Sequence, residues 1–271
     1  MNVLVPTNPA DGAFGNKLKS LITCIRSGLP YRVWWLNGFS ELLDIPGYAE
    51  NRCQMIEWRL GCWRLALTHE ESINLDQSYR DSYPEFFDCE WPEFNLKFAR
   101  IRTIDGMYNR IPSYIKFRLC RAVMDIPWNS TMRELFQDID RQVSGKTLVG
   151  VSVRSWKNQF ETSDPLAQHR AKSFDPEAYK KVVRKLSQRY EIFMSFDAPE
   201  LEEEFKDIPN RVFLKDVGFH WKIASPFQKI AAKCYMLSRC KILVGDTRST
   251  YIEAAWLLGC CSADLIDVYG Q

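Results

Sequence analysis

Two apolar runs in this chain end in residues suited to holding an anion. Val149-Gly150-Val151-Ser152-Val153 leads directly into Arg154, and Ile242-Leu243-Val244-Gly245-Asp246 ends in the hydroxyl-rich turn Thr247-Arg248-Ser249-Thr250. The first reads as a buried strand with arginine at its C-terminal end. The second reads as a strand and turn opening a helix from Tyr251 to Leu258. A guanidinium presents a planar fork of donors to phosphate oxygens. A helix N-terminus adds free N–H groups and the positive end of its dipole. Together they suit a diphosphate leaving group.

The elements that must position these residues are regular after Lys146. Lys146–Val153 predicts a central parallel strand, because it is apolar and β-branched along its length. Ser155 to Lys172 reads as polar and irregular. Asp175 and Pro176 supply an N-cap and a first helical residue for a helix to about Arg189. Glu191–Phe196 is the next strand, Asp197-Ala198-Pro199-Glu200 opens a second, acidic helix, and Arg211–Lys215 is a third strand. Pro226–Arg239 is helical, Lys241–Gly245 a strand, and Ala263–Val268 the last strand. Alternating β and α units at this spacing specify a doubly wound α/β sheet, whose ligands bind beyond the carboxyl ends of the strands. Arg154, Asp197, Asp216 and Thr247 to Thr250 all fall at that edge.

The N-terminal half opens as a second βαβ unit. Val3–Pro6 is a strand, Asp11 to Asn16 a glycine-bearing turn, and Lys17–Gly28 a helix with Leu18, Leu21, Ile22 and Ile25 on one face. Tyr31–Leu36 is the returning strand. The middle mixes aromatic-rich loops with one strand near Phe98–Ile104, a helix over Ile111–Met124 and a linking helix over Ser130–Val143. The expected domains are residues 1–140 and 141–271.

Bulk properties exclude several classes. The 36 basic and 34 acidic side chains give a net charge of +2, which argues against a nucleic-acid partner. Nine cysteines, an odd number without C-x-x-C spacing, read as reduced thiols of a cytoplasmic protein. Met1 to Pro6 lacks the basic and long apolar regions of a signal peptide, and no stretch is apolar enough to span a membrane. The three histidines are widely spaced and mark no metal site. Neither a G-x-x-x-x-G-K-[ST] loop nor a G-x-G-x-x-G turn is present, which disfavours phosphoryl transfer and dehydrogenation.

Four segments, in order, resemble the GDP-fucose-dependent fucosyltransferases. Val151-Ser152-Val153-Arg154 is similar to their H-x-R motif, with Ser152 where the family usually has a histidine that helps bind guanine. Phe193-Met194-Ser195-Phe196-Asp197-Ala198-Pro199 is similar to the second motif, a strand ending in aspartate. Asp246 to Ala255 resembles the third, a serine/threonine pair opening an alanine-rich helix, and Gly12 to Leu18 resembles the family's N-terminal glycine–asparagine turn. The resemblance covers roughly residues 1–36 and 145–268 and implies a GT-B fold, two Rossmann-like domains facing across a cleft. It implies metal-independent, inverting transfer of L-fucose from GDP-fucose to a glycan hydroxyl. Arg154 would hold the β-phosphate, Ser249 and Thr250 would complete the cradle with Thr247 and Arg248 beside them, and Gly15-Asn16 would approach the donor from the opposite wall. No cofactor is implied beyond the donor substrate.

Each of these residues also has a structural alternative. Arg154 could form a strand-end salt bridge, and Thr247, Ser249 or Thr250 could cap the helix. Asp197 suits a guanine edge or a helix cap. Asp11 leads as general base, with turn residue as its alternative; His69, His169 and His220 are the other titratable choices, while Lys157 and Arg170 could meet donor phosphates. Transfer from another nucleotide sugar and a non-catalytic nucleotide- or carbohydrate-binding module are the competing functions.

Overall fold

The computed structural model describes residues 3–7, 14–27, 31–35, 39–45, 48–49, 64–65, 113–156, 165–214, 218–246 and 249–269. The strand expected near Phe98–Ile104 lies outside them. The chain divides into two compact units, Met1–Arg133 with Ser225–Ala231, and Glu134–Ala224 with Ala232–Gln271.

In the first unit, β1 (Val3–Thr7), α1 (Phe14–Ser27) and β2 (Tyr31–Trp35) form a βαβ unit, with Val3 opposite Tyr31 and Thr7 opposite Trp35. Two short strands, β3 (Tyr48–Ala49) and β4 (Arg64–Leu65), complete a parallel sheet of order β3-β2-β1-β4. The sequence showed neither, because two residues carry no readable period. Helix α1 begins earlier than its predicted start at Lys17, and Gly15 and Asn16 lie in its first turn rather than in a loop. The cause is packing: Phe14, Leu18, Leu21 and Ile22 recur at helical spacing on one buried face, which draws the helix back to Phe14. Helix α2 (Ser113–Met124) packs beside α1. Asn129 then caps α3 (Ser130–Val143), its Oδ1 accepting the Met132 N–H at 2.9 Å, and from Glu134 onward this helix belongs to the second unit.

The second unit is built on a five-stranded parallel sheet. Its strands are β5 (Leu148–Val153), β6 (Glu191–Phe196), β7 (Arg211–Val212), β8 (Ile242–Gly245) and β9 (Asp264–Asp267), in the order β7-β6-β5-β8-β9. Every neighbouring pair is parallel, so helices must return the chain each time. They are α4 (Pro165–Lys172), α5 (Pro176–Ser187), α6 (Leu201–Glu204), α7 (Phe219–Ile223), α8 (Pro226–Ser238), which belongs to this unit from Ala232 onward, and α9 (Thr250–Leu258). Asp175 caps α5 by accepting the Glu177 N–H at 2.9 Å, with Pro176 as the first helical residue. Helix α4 interrupts the stretch read as irregular, and Pro165 opens it for the same reason. Strand β7 is shorter than expected because the Phe213 carbonyl is taken by Gln142 Nε2, at 3.2 Å, rather than by the ladder.

The two faces of β5 do different jobs. Val149, Val151 and Val153 pack with Tyr179 and Val183 of α5 and with Ile192 and Met194 of β6 in a closed core. On the other side a Cβ at Gly150 would lie 2.9 Å from both Cys240 Sγ and Leu237 Cδ2, so the missing side chain lets this region approach the strand. Gly245 does the same for α9. A Cβ there would sit 2.7 Å from Ile252 Cδ1 and 2.9 Å from the Ser152 carbonyl oxygen, which is backbone and cannot rotate away. Replacing Gly245 with alanine should therefore cost about 1–3 kcal/mol of stability. Urea denaturation would check this, and a loss under about 0.5 kcal/mol would show that the β8–α9 junction is not tightly packed.

Candidate donor-binding site

The strand order places three loops side by side. From β5 the chain goes first toward β6 and β7, then returns to the opposite side for β8 and β9. The sheet therefore has its switch point between β5 and β8, where adjacent loops diverge and leave a crevice at the carboxyl edge. Ser152 lies opposite Gly245 and also opposite Ser195, so Arg154, Asp246 and Asp197 leave neighbouring strands at nearly the same level.

Asp197 organises this edge. Its Oδ2 lies 3.3 Å from Arg154 NH1, and the side chains are only 13% and 6% exposed, so water screens the pair less than an ordinary surface pair. The Ser155 N–H reaches both carboxylate oxygens at 3.0 Å, the Ser155 hydroxyl donates to Oδ1 at 3.0 Å, and the Trp156 N–H donates to Oδ2 at 3.0 Å. A carboxylate has about four lone-pair positions, and these donors fill them. Asp197 thus holds the loop after β5 in place. It does not cap α6, whose N-cap is Glu200, and its oxygens are directed at this loop rather than offered to a base.

The second brace is Trp156. Its backbone is left-handed, with φ 62°, a conformation that costs a non-glycine residue about 1–2 kcal/mol. The Asp197 bond to its N–H and a 3.2 Å bond from its Nε1 to buried Asp246 Oδ2 hold it there. The indole ring therefore ties the loop after β5 to the loop after β8. It also lies beneath Arg154, whose guanidinium carbon is 4.6 Å from the ring centroid.

Two phenols complete the surroundings of Arg154. Tyr179 Oη accepts the Arg154 N–H at 3.4 Å. Burial, reinforced by the Tyr269 and Asp246 charges, pushes its pKa well above the ordinary tyrosine value. Burial likewise raises Tyr251, against the lowering effect of a Ser195 hydrogen bond and of Arg154. Both phenols stay neutral at physiological pH and do not compete with an anion for the guanidinium.

Ser249 is buried at the N-terminus of α9, where its Oγ accepts the Tyr251 N–H at 3.3 Å. It caps the helix, and its own N–H bonds the Asp246 carbonyl at 2.9 Å to close the turn. Thr250 is the first, half-buried residue of α9. Asp11, Thr247 and Arg248 lie outside the described residues, as do Lys157, Asp216 and His69. Gly15 and Asn16 belong to the first unit. His169 is exposed on α4, and His220 is engaged elsewhere, its Nδ1 2.6 Å from Asp138 Oδ2 and its Nε2 3.2 Å from Glu134 Oε2. Among the described residues no group of three or more histidine, cysteine or acidic side chains is placed to hold a metal ion. Among those residues, too, no helix is long and apolar enough to cross a membrane.

No family model matches the chain, and no curated protein matches it. Solved structures do. One is fucosyltransferase NodZ from Bradyrhizobium, 17% identical over 95% of this chain and 91% of that chain, with a TM-score of 0.49. Another is the Arabidopsis thaliana FUT1 mutant R284K in complex with GDP, 12% identical over 100% of this chain and 70% of that one, with a TM-score of 0.49. POFUT1 in complex with GDP is 10% identical over 99% and 98% of the two chains, with a TM-score of 0.47. These neighbours are fucosyltransferases.

Sequence reasoning placed Trp156 only within an irregular stretch and gave Ser155 no role. Their position directly after a strand-end arginine was the available signal, but the partners are 40 or more residues away. Removing the Asp197 carboxylate strands these donors and a shielded guanidinium. Asp197→Ala should lower stability by about 2–4 kcal/mol. Chemical denaturation would measure it, and a loss under about 1 kcal/mol would contradict the bracing role.

Proposed function

We propose that this chain is a metal-independent, inverting glycosyltransferase that moves L-fucose from GDP-fucose to a glycan hydroxyl. The observation that carries the reading is the placement of Arg154 at the switch point of the five-stranded sheet. It is braced by Asp197 and sits on the edge shared with the Ser249-capped start of α9. The four segments that resemble the fucosyltransferases support the choice of donor. In this reading the two units form a GT-B pair, with the donor on the second and the acceptor on the first. The proposed compartment is the cytoplasm, where free thiols such as those of Cys234 and Cys240 remain reduced.

The chemistry follows from the charges. Glycosyl transfer passes through an oxocarbenium-like state in which the sugar–oxygen bond is largely broken and negative charge gathers on the departing diphosphate. A guanidinium already fixed in position stabilises that charge without reorganising as it forms. The N-terminus of α9, with Ser249 and Thr250, adds N–H dipoles on the same side. Together these groups supply the positive potential assigned here in place of a divalent ion. Asp11 is proposed to take the proton from the acceptor hydroxyl, Thr247 and Arg248 to extend the diphosphate cradle, and Gly15 and Asn16 to approach the donor.

Arg154→Ala should fold and lose transfer by about 30- to 1,000-fold, the loss of about 2–4 kcal/mol of transition-state stabilisation. Turnover near wild type at saturating donor would rule out the role. A wild-type chain that binds nucleotide sugars yet neither transfers nor hydrolyses any of them would be a binding module.

Ser152 favours a second reading, transfer from a different nucleotide sugar. It is buried in β5 beside Gly245, so the position where the family usually carries a base-contacting histidine holds a small hydroxyl here. Calorimetric titration separates the two: the fucosyl reading expects GDP to bind at micromolar concentration and more tightly than UDP. Equal affinities, or a preference for UDP, would transfer the assignment to another donor. Activity should also survive EDTA. Loss that is restored by Mg²⁺ or Mn²⁺ would overturn the metal-free mechanism.

A further inference from the structure

The pairing of β5 with β8 stops just short of the residues assigned to the site. Its last opposed pair is Ser152 and Gly245, and Arg154 and Asp246 lie immediately beyond. In a parallel ladder successive residues turn their N–H and C=O groups toward opposite neighbours. The Leu148 carbonyl accepts the Lys241 N–H at 2.9 Å, so Leu148 faces β8, and by the same alternation so does Arg154. The Gly245 carbonyl accepts the Val268 N–H at 3.0 Å on the β9 side, so Asp246, the next residue, faces β5. The Arg154 and Asp246 N–H groups are thus both directed into the gap between β5 and β8, where the next rungs would lie.

Tyr179 stands at that gap. Its Oη accepts the Arg154 N–H at 3.4 Å and also the Asp246 N–H. One phenol oxygen therefore takes the donors that would have continued the ladder. The ring that carries it is fully buried, edge-on to Phe205 at 6.5 Å and to Tyr269 at 5.9 Å between centroids. Tyr269 in turn accepts the N–H of Asp175, the N-cap of α5, at 3.1 Å, which fixes the start of the helix bearing Tyr179. An N–H withdrawn from water needs an acceptor. Without the phenol oxygen, the acceptors that continue the ladder are carbonyls of the facing strand. Pairing with them would draw Arg154 and Asp246 together and narrow the crevice at the switch point.

We propose that Tyr179 is a positioning residue for the donor site: its phenol oxygen ends the β5–β8 ladder and so sets the spacing between Arg154 and the turn that leads from Asp246 to α9. This rests on the donor-site reading above and extends it to a core residue outside the four segments that carry the resemblance. Being fully buried, Tyr179 acts through the strand ends and not by contact with the donor.

The test has two arms, both on the full chain. The first is amide hydrogen exchange of the wild type, which reads the contact without any variant. The Arg154 and Asp246 amides should exchange slowly, at rates like those of β5 and β8; exchange as fast as in an exposed loop would overturn the proposal. The second is turnover of saturating GDP-fucose, with water as acceptor, for Tyr179→Phe in the wild-type and Arg154→Ala backgrounds. Tyr179→Phe keeps the ring and removes only the oxygen. It should lower turnover about five- to fiftyfold in the wild-type background and less than about twofold where Arg154 is already gone, because a residue that acts through another is not additive with it. Phe205→Leu, which loosens the packing beside the ring and leaves the oxygen in place, should lower the melting temperature and keep turnover within about twofold. The proposal is wrong if Tyr179→Phe stays within about twofold of wild type, loses the same factor in both backgrounds, or is matched by Phe205→Leu. If the wild type turns over no nucleotide sugar and binds no nucleoside diphosphate, the donor-site reading fails and the positioning role falls with it, however slowly the two amides exchange.

Discussion

One carboxylate holds the edge of the second unit together. Asp197 follows β6, and the groups it binds all follow β5: two backbone N–H groups, one hydroxyl and one guanidinium. It acts together with the Trp156 indole, which bonds Asp246 and lies beneath the Arg154 guanidinium, to fix this loop. A carboxylate used in this way is structural in its contacts and functional in its effect, because it fixes a cation before any ligand arrives. That is the condition under which electrostatic stabilisation acts without reorganisation during the reaction.

The rest of the unit supplies the conditions for that contact. Parallel pairing brings β5, β6 and β8 out at one level, and the apolar core beneath Tyr179 keeps their ends from shifting. Two glycines set how closely the other face is covered, Gly150 near Leu237 and Cys240, and Gly245 under Ile252. The polar edge is as precise as the packing below it, since a displacement of a few tenths of an ångström in the sheet would be felt directly at hydrogen bonds of 3.0 Å.

Local signals made much of this legible before any coordinates. β6 was readable at its observed limits, Glu191–Phe196, because an apolar run is bounded there by polar residues on both sides. The start of α5 was readable because Asp175 and Pro176 act within one turn. Other features depend on distant partners and could not be read. Helix α1 extends back over Gly15 because Phe14 is buried, β7 stops where Gln142 takes its next carbonyl, and β3 and β4 exist only as neighbours of longer strands. At the site, an arginine at a strand end was visible, but its relation to Asp197 was not, because the two lie 43 positions apart. The indole bridge to Asp246 spans 90 positions and leaves no trace in sequence spacing.

The position of β5 at the centre of its sheet has a consequence for how the chain is made. Its partner on one side, β6, is synthesised soon afterwards, whereas β8 follows only after roughly ninety residues of intervening chain, a long-range pairing that forms slowly. Until β8 arrives, one side of β5 presents six residues without a charge, Leu148 to Val153, all destined for burial. An unpaired apolar edge of this kind is a template for another molecule's strand. The same uncharged run that lets the finished sheet pack closely makes the half-made sheet vulnerable to aggregation, and any interruption of synthesis before Ile242 leaves that edge permanently open.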